Sequence, residues 1–199
     1  MGLQIGGSLA PDFDDPLGLM RDCHRRIERF LETLVVVAQR ARGGALDGVQ
    51  RDALDTALRY FAGMAPKHTA DEEQSLFPRL REQLGTASAA EDAAILARLD
   101  ELERDHVAVG AQHDEVERLG RQWLEVGSLP AAEAARIEAL LLALREAYRV
   151  HIAHEDEAVF PLAGRVLAPE QLAVVGQEMA ARRGSLTCSE RKRLKAAGG

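Results

Sequence analysis

The chain has 199 residues, 46% of them hydrophobic and 29% charged, a composition typical of one soluble globular domain. Its formal net charge of -7 argues against nucleic acid as a partner, and no apolar run reaches the about 18 residues that span a bilayer. Because the amino terminus also lacks the pattern of a signal peptide, we expect a cytoplasmic protein without a membrane partner.

Cysteine and aromatic residues are both scarce. The two cysteines, Cys23 and Cys188, form no CxxC pair, which argues against a disulfide framework and against a thiolate metal site. Aromatic residues make up 4% of the chain, and long stretches lack both proline and the alternation typical of strands. The composition therefore predicts an all-α fold.

The first predicted helix begins at Pro16, where an Asp cap precedes a proline in the first turn, and it ends at Gly43 and Gly44. Apolar residues recur along it every three or four positions, and His24 lies within this apolar stripe. The helix therefore presents a histidine to the core.

The second predicted helix follows a GGALDG turn and ends near Leu84. Its apolar stripe contains His68 and Glu72, which are one helical turn apart and therefore face the same way. Pro66 lacks a backbone N–H, so we expect a bend in this helix close to His68.

The third predicted helix runs from about residue 89 to 126 and carries His106 and His113 on its apolar side. The fourth opens after a Gly-Ser-Leu-Pro turn and carries His151 and Glu155 inward, again one turn apart. Both helices thus repeat the placement of polar side chains within an apolar stripe.

Four long helices joined by short turns predict an antiparallel up-down-up-down four-helix bundle. A short amphipathic segment, APEQLAVVGQEMAARR, predicts a fifth helix that packs across one end. We expect a flexible amino terminus over residues 1–12, the bundle over 13–183 and a basic flexible tail over 184–199.

An internal repeat relates the two halves of the chain. The segments HTADEEQSLFP and HIAHEDEAVFP share a His, a Glu four residues later and then Phe-Pro, at an offset of 83 residues. His24 and His106 are 82 residues apart at similar places on their helices. Two hairpins packed antiparallel should therefore bring all four histidines and both glutamates to one layer.

Such a layer predicts a metal site. Any one of these histidines alone is better explained as a hydrogen-bonded core residue. Burying four imidazoles and two carboxylates together, with no Lys or Arg on the inward stripe, would however cost several kcal/mol per ionised group. We therefore predict that two metal ions are bound by His24, His68, Glu72, His106, His151 and Glu155.

The donor set of imidazole and carboxylate suits iron, manganese or zinc. Two octahedral metals offer about twelve coordination positions. If both glutamates bridge, about four positions remain for a bridging oxo or hydroxo group and for exchangeable ligands. Open positions of this kind predict chemistry on small molecules, and two iron ions are the favoured cofactor.

Several further residues are candidates for a place around the metals. His113 lies two turns from His106, about 10 Å along the helix, so we expect it to be buried and hydrogen-bonded, or to line an access path. Tyr148 either donates to a metal-bound oxygen or fills the core. The acidic residues that flank the glutamates could support the histidine tautomers, although a run of charges beside a helix is usually a solvated face: Asp71, Glu73, Asp156 and Glu157.

The ordered segments DPLGLMRDCH, HTADEEQSLFP, LERDH and HIAHEDEAVFP resemble the hemerythrin-like, or HHE cation-binding, family over residues 15 to about 183. The resemblance is to the bacterial type with four histidines and two glutamates, and it implies a four-helix bundle with a non-haem di-iron centre. Oxygen-carrying members have a fifth histidine on the third helix, where this chain has Gly110. Simple reversible oxygen carriage is therefore disfavoured.

The resemblance implies a protein that binds or senses O2, NO or peroxide. Two alternatives remain open at this stage. One is a di-iron oxidoreductase with catalase-like or peroxidase-like turnover, and the other is an iron store or a zinc-stabilised structural bundle.

Overall fold

A computed structural model describes residues 12–85 and 90–187, with residues 90–92 described by their backbone alone. Most of the predicted flexible amino terminus and most of the predicted basic tail, including Cys188, lie outside these residues and stay predictions.

The described residues form eight α-helices and no strands. Two short π-helical segments each follow one α-helix directly and continue directly into the next. The α-helices are α1 (Pro16–Ala41), α2 (Gly48–Gly63), α3 (Ala65–Asp71), α4 (Phe77–Leu84), α5 (Ala90–Val126), α6 (Ala131–His154), α7 (Phe160–Val166) and α8 (Pro169–Arg182). The π-helical segments are Glu72–Leu76, between α3 and α4, and Glu155–Val159, between α6 and α7.

Local signals set the helix ends. The carboxylate of Asp15 accepts a hydrogen bond from the backbone N–H of Gly18 at 3.0 Å, which caps α1. Asp47 and Gln50 form a reciprocal capping box at the start of α2. These contacts satisfy backbone donors that the first turn of a helix leaves without partners.

Four helical arms make the bundle: α1, α2 to α4, α5, and α6 to α7. The first arm packs against α2 and α6, and α5 also packs against α2 and α6. The arms therefore form a ring in which each is adjacent to the arms before and after it. This arrangement confirms the predicted all-α four-helix bundle.

The core consists of two apolar clusters, one on each side of a polar layer. The larger cluster includes Ile27 and Leu144, and the smaller includes Met20 and Val159. On α1, His24 lies between Met20 of one cluster and Ile27 of the other. The histidine layer is therefore enclosed by apolar side chains from above and below.

The second arm is interrupted at Met64, between α2 and α3. Pro66 follows two residues later and cannot donate the backbone hydrogen bond that would continue the helix. The interruption lies one turn before His68, where the sequence predicted a bend.

Helix α8 is the predicted short fifth helix, and it packs against α1, α3 and the first π-helical segment. Its buried Val175 and Met179 belong to the smaller apolar cluster. The fully buried carboxylate of Asp71 accepts hydrogen bonds from Arg182 at 2.9 Å and from Arg183 at 2.6 Å. These ion pairs join α8 to the residue that directly precedes Glu72.

None of the helices in the described part of the chain is both long and apolar enough to cross a membrane.

Two glycines on different helices should respond oppositely to alanine. A Cβ at Gly176 in α8 would overlap the backbone carbonyl oxygen of Phe13. We expect Gly176→Ala to lower the free energy of unfolding by about 1–3 kcal/mol, the usual cost of overpacking. A Cβ at Gly110 in α5 meets no atom within 4 Å. Gly110→Ala should therefore raise the free energy of unfolding by up to about 1 kcal/mol, because alanine has a higher helix propensity than glycine. Urea unfolding measures both, and equal effects would contradict this packing.

Candidate metal centre

Six side chains from all four arms converge in the polar layer. Each arm contributes a histidine, and the second and fourth arms also contribute a glutamate at the first position of a π-helical segment. Both glutamates are fully buried, and the His106 side chain is the most exposed of the six at 8%. The residues are His24 on α1, His68 on α3, Glu72, His106 on α5, His151 on α6 and Glu155.

Each glutamate faces histidines on both sides of the layer. Glu72 Oε1 lies 3.2 Å from His68 Nε2, and Glu72 Oε2 lies 3.5 Å from His106 Nε2. Glu155 Oε2 lies 3.1 Å from His24 Nε2 and 3.3 Å from His151 Nε2. The carboxylates therefore lie between a pair of imidazoles from α1 and α3 and a pair from α5 and α6.

The potential ligand atoms form two groups, and within each group they lie within 4.8 Å of one another. His24 and His68 belong to one group, and His106 and His151 belong to the other. Both glutamates belong to both groups, as expected of carboxylates that bridge two cations.

Unpartnered polar atoms show that the layer fits a cation. Both carboxylate oxygens of Glu72 and of Glu155 are buried without a hydrogen-bond partner among the described residues, and so is His24 Nε2. Buried carboxylates without donors are costly, whereas a cation between them would satisfy these atoms. Nitrogen and oxygen donors without sulfur suit iron, manganese or zinc.

The π-helical segments follow from the Phe-Pro step of the repeat. The N–H of Phe77 donates to the carbonyl of Glu72, and the N–H of Phe160 donates to the carbonyl of Glu155, in each case five residues back. Pro78 and Pro161 follow and have no N–H to continue the ordinary α-helical pattern. Each segment begins at a site glutamate, and such segments are frequent at functional sites. The repeat contained this signal, but sequence periodicity alone predicted an ordinary helix.

Three of the four histidines have a carboxylate at the ring nitrogen that faces away from the layer. Nδ1 of His24 lies 3.0 Å from Asp156, and Nδ1 of His106 lies 2.9 Å from Glu73. Nδ1 of His151 lies 3.5 Å from Asp105. A carboxylate that accepts a hydrogen bond from the Nδ1–H group keeps the proton on Nδ1 and leaves the Nε2 lone pair free for a metal.

Of the two possibilities for the acidic residues beside the glutamates, these contacts favour support of the histidine rings for Glu73 and Asp156, whereas Glu157 is exposed. Glu73 and Asp156 are about one-third exposed and directly follow Glu72 and Glu155, from where each reaches a histidine on another helix. Asp71 is fully buried against two arginines. The contact of Asp105 with His151 was not predicted from the sequence, in which the one signal for Asp105 is its place immediately before His106.

The protonation of the layer is uneven. Burial and then the charge of Glu155 raise the pKa of Glu72. Burial also acts to raise the pKa of Glu155, but the close imidazoles of His151 and His24 outweigh it and lower that pKa. Burial acts to lower the pKa of His24, but the Asp156 contact and both glutamates outweigh it and raise the pKa well above its ordinary value.

The other two predicted pocket side chains form a pair beside the layer. His113 Nε2 lies 3.0 Å from the Tyr148 hydroxyl, and the Tyr148 ring centroid is 6.4 Å from that of His151. Burial lowers the pKa of His113 to about 4, so its imidazole is neutral at physiological pH. His113 belongs to neither ligand group found in the described residues. Gly110 lies one turn before it, with open space at its Cβ position.

Replacing a carboxylate behind a ligand should weaken metal binding without removing a ligand. We expect Asp156→Asn to lower metal affinity about 10-fold to 100-fold, because the amide no longer fixes the His24 tautomer as a carboxylate does. Competition with a chelator measures the affinity. Glu157→Gln is the matched control, since Glu157 is the exposed next residue. Equal affinity in both variants would contradict the role of Asp156.

Metal binding should release protons. The raised pKa values of Glu72 and His24 mean that, without a metal, these groups hold protons to higher pH than ordinary glutamate and histidine. A metal must displace those protons, so its affinity should rise with pH through the neutral range. Calorimetric titrations near neutral pH in buffers of different ionisation enthalpy measure the release. Identical heats in all buffers would mean that no proton leaves.

Comparison with known proteins agrees with this geometry. The sequence model of the hemerythrin HHE cation-binding domain family matches residues 15–163. This range contains all six converging side chains. A curated protein of Haemophilus influenzae, described as uncharacterized, is 27% identical over 172 residues, which cover 86% of this chain and 91% of that protein. The chain therefore belongs to the hemerythrin HHE cation-binding family.

Proposed function

We propose that the protein holds two iron ions in the polar layer and uses them to bind and sense O2, NO or peroxide. The observation that carries the proposal is the pair of ligand groups that share Glu72 and Glu155. With His24 and His68 on one ion and His106 and His151 on the other, bridging glutamates leave about four coordination positions for exchangeable ligands.

The space beside the ligands supports a small molecule there. A void of about 10 Å³ is bounded by the four histidines together with Ile27, Ala65, Thr69, Tyr148 and Ile152. That volume is close to what one water molecule needs. A small molecule therefore has limited room beside the ligands, and an organic molecule does not fit into this void.

Iron is proposed over zinc because a sensor of oxidants needs a metal that changes oxidation state, which zinc does not. When bound, iron would supply reversible redox chemistry and a Lewis-acid site for the small molecule. The protein's own residues orient the ligand imidazoles through Asp156, Glu73 and Asp105. Apolar clusters enclose the layer on both sides along the bundle axis.

We place this activity in the cytoplasm. Cys23 is a free, buried thiol, which fits a reducing compartment.

Metal analysis tests the proposal. Protein expressed with iron should contain about two iron ions per chain and show a ligand-to-metal absorption band that changes on adding O2, NO or peroxide. Glu72→Gln should lose iron because one bridging carboxylate is removed. Glu73→Gln is the matched control, because Glu73 is the next residue and is not a predicted ligand. This variant should keep the iron, with reduced affinity because Glu73 supports His106.

Fewer than about 1.5 iron ions per chain, with no such band, would reject the di-iron site. The same sample separates the other functions. Rapid peroxide consumption that is lost in His106→Ala would favour an oxidoreductase. Bound zinc with no redox response, and metal loss coupled to unfolding, would favour a structural bundle.

A further inference from the structure

A large cleft adjoins the polar layer on its α5 side. It has a volume of about 590 Å³ and lies between α2, α3 and α5, with Tyr148 of α6 at its inner end. Pockets for small organic ligands typically have about 300–1,000 Å³. The cleft is therefore much larger than a diatomic molecule or peroxide needs, and much larger than the void at the ligands.

The cleft reaches the candidate metal centre directly. Four residues line both the cleft and the small void between the ligands: Ala65, Thr69, His106 and Tyr148. One of them, His106, is itself a predicted metal ligand. A molecule at the inner end of the cleft would therefore lie beside the α5 and α6 side of the centre.

The walls of the cleft are mainly apolar and include two aromatic rings. Leu58 and Phe61 of α2 line it together with Val109 and Val116 of α5. The ring of Phe61 stacks on that of His113, with centroids 4.7 Å apart and an angle of 28° between the planes. Because the two rings cover part of each other, a planar aromatic molecule would pack against their edges or outer faces, edge to face or offset.

The open space comes from a glycine in the middle of α5. Gly110 lines the cleft, and a Cβ built there meets no atom within 4 Å. A side chain added at this position would therefore begin in open space on the wall of the cleft.

The polar groups of the cleft select against anions. Its acidic residues are Glu73, Asp114 and Glu117, and no Lys or Arg is among the residues that line it. Glu117 is paired with Arg121 at 2.7 Å, and Glu73 with His106 at 2.9 Å. An anionic ligand would face carboxylates without a cation in the lining, whereas a neutral ligand would not.

One hydrogen-bonded pair is available to orient such a ligand. His113 Nε2 and the Tyr148 hydroxyl, 3.0 Å apart, both belong to residues that line the cleft. A hydroxyl has one donor and two acceptor lone pairs, so Tyr148 can hold His113 and still bond a ligand hydroxyl.

We propose that this cleft binds a neutral, phenol-sized aromatic molecule, with its ring against Phe61 and His113 and its hydroxyl toward Tyr148. This proposal rests on the proposed function, because it places the aromatic molecule beside the two metals. The aromatic molecule would be a second bound molecule next to the centre and would not itself coordinate a metal. The small oxidant and the aromatic molecule then occupy separate, adjoining spaces.

The probe for the test is p-cresol, which carries one hydroxyl on an apolar ring. Its proton relaxation is measured by NMR with protein loaded with manganese and with protein loaded with zinc. Because Mn²⁺ is paramagnetic, p-cresol in the cleft should relax faster with the manganese protein than with the zinc protein. Calorimetry with the same samples gives the affinity. Benzoate, an anion of similar size, should bind with an affinity at least about ten-fold lower than that of p-cresol.

Gly110→Leu should fill the cleft and weaken p-cresol binding about ten-fold or more. Ala111→Leu is the matched control, because Ala111 is the exposed next residue of the same helix and does not line the cleft. This control should bind p-cresol as the wild-type protein does.

Equal binding of p-cresol to Gly110→Leu and wild type, or no binding to wild type, would overturn the proposal. So would equal relaxation with manganese and zinc, or benzoate binding as tight as that of p-cresol. Metal content is measured on every sample. Fewer than about 1.5 iron ions per chain in protein expressed with iron would reject the proposed function, whereas the contrast between Gly110→Leu and Ala111→Leu would still decide whether the cleft binds p-cresol.

Discussion

Two buried carboxylates lie between four imidazoles at the centre of the bundle, and the rest of the structure is arranged around them. Glu72 and Glu155 have no hydrogen-bond donors among the described residues, so a cation is the partner that would offset their burial. All four arms supply candidate ligands, so a bound metal would also join the arms. Because such a site requires the folded arrangement, metal binding would contribute to the free energy of folding.

The sequence repeat produces a site that is nearly, but not fully, symmetric. Glu73 contacts His106, and the equivalent Asp156 contacts His24. The third contact has no equivalent: Asp105 reaches His151, but Cys23 occupies the matching position and His68 Nδ1 is buried without a partner among the described residues. The two candidate ligand groups therefore differ in the carboxylates behind their histidines. The group with two such carboxylates, that of His106 and His151, adjoins the cleft through His106.

Stability and access are divided between the two ends of the layer. On the α8 side, Asp71 is held by two arginines directly beside Glu72, which ties this end of the site to α8. On the α5 side, Gly110 leaves open space, and Tyr148 is held by His113 rather than by a ligand of the site. The candidate metal centre therefore adjoins a cleft on its α5 side, while apolar clusters pack above and below it.

The sequence by itself determined the helices and the six converging side chains, because these depend on local spacing. A His and a Glu four residues apart face the same way on any helix, and the repeat implied that His24 and His106 join them. Only the tertiary structure decided which carboxylate meets which histidine, since Asp156 and His24 are 132 residues apart. The cleft, too, exists only between packed helices, because the space at Gly110 depends on how α2 and α3 lie against α5.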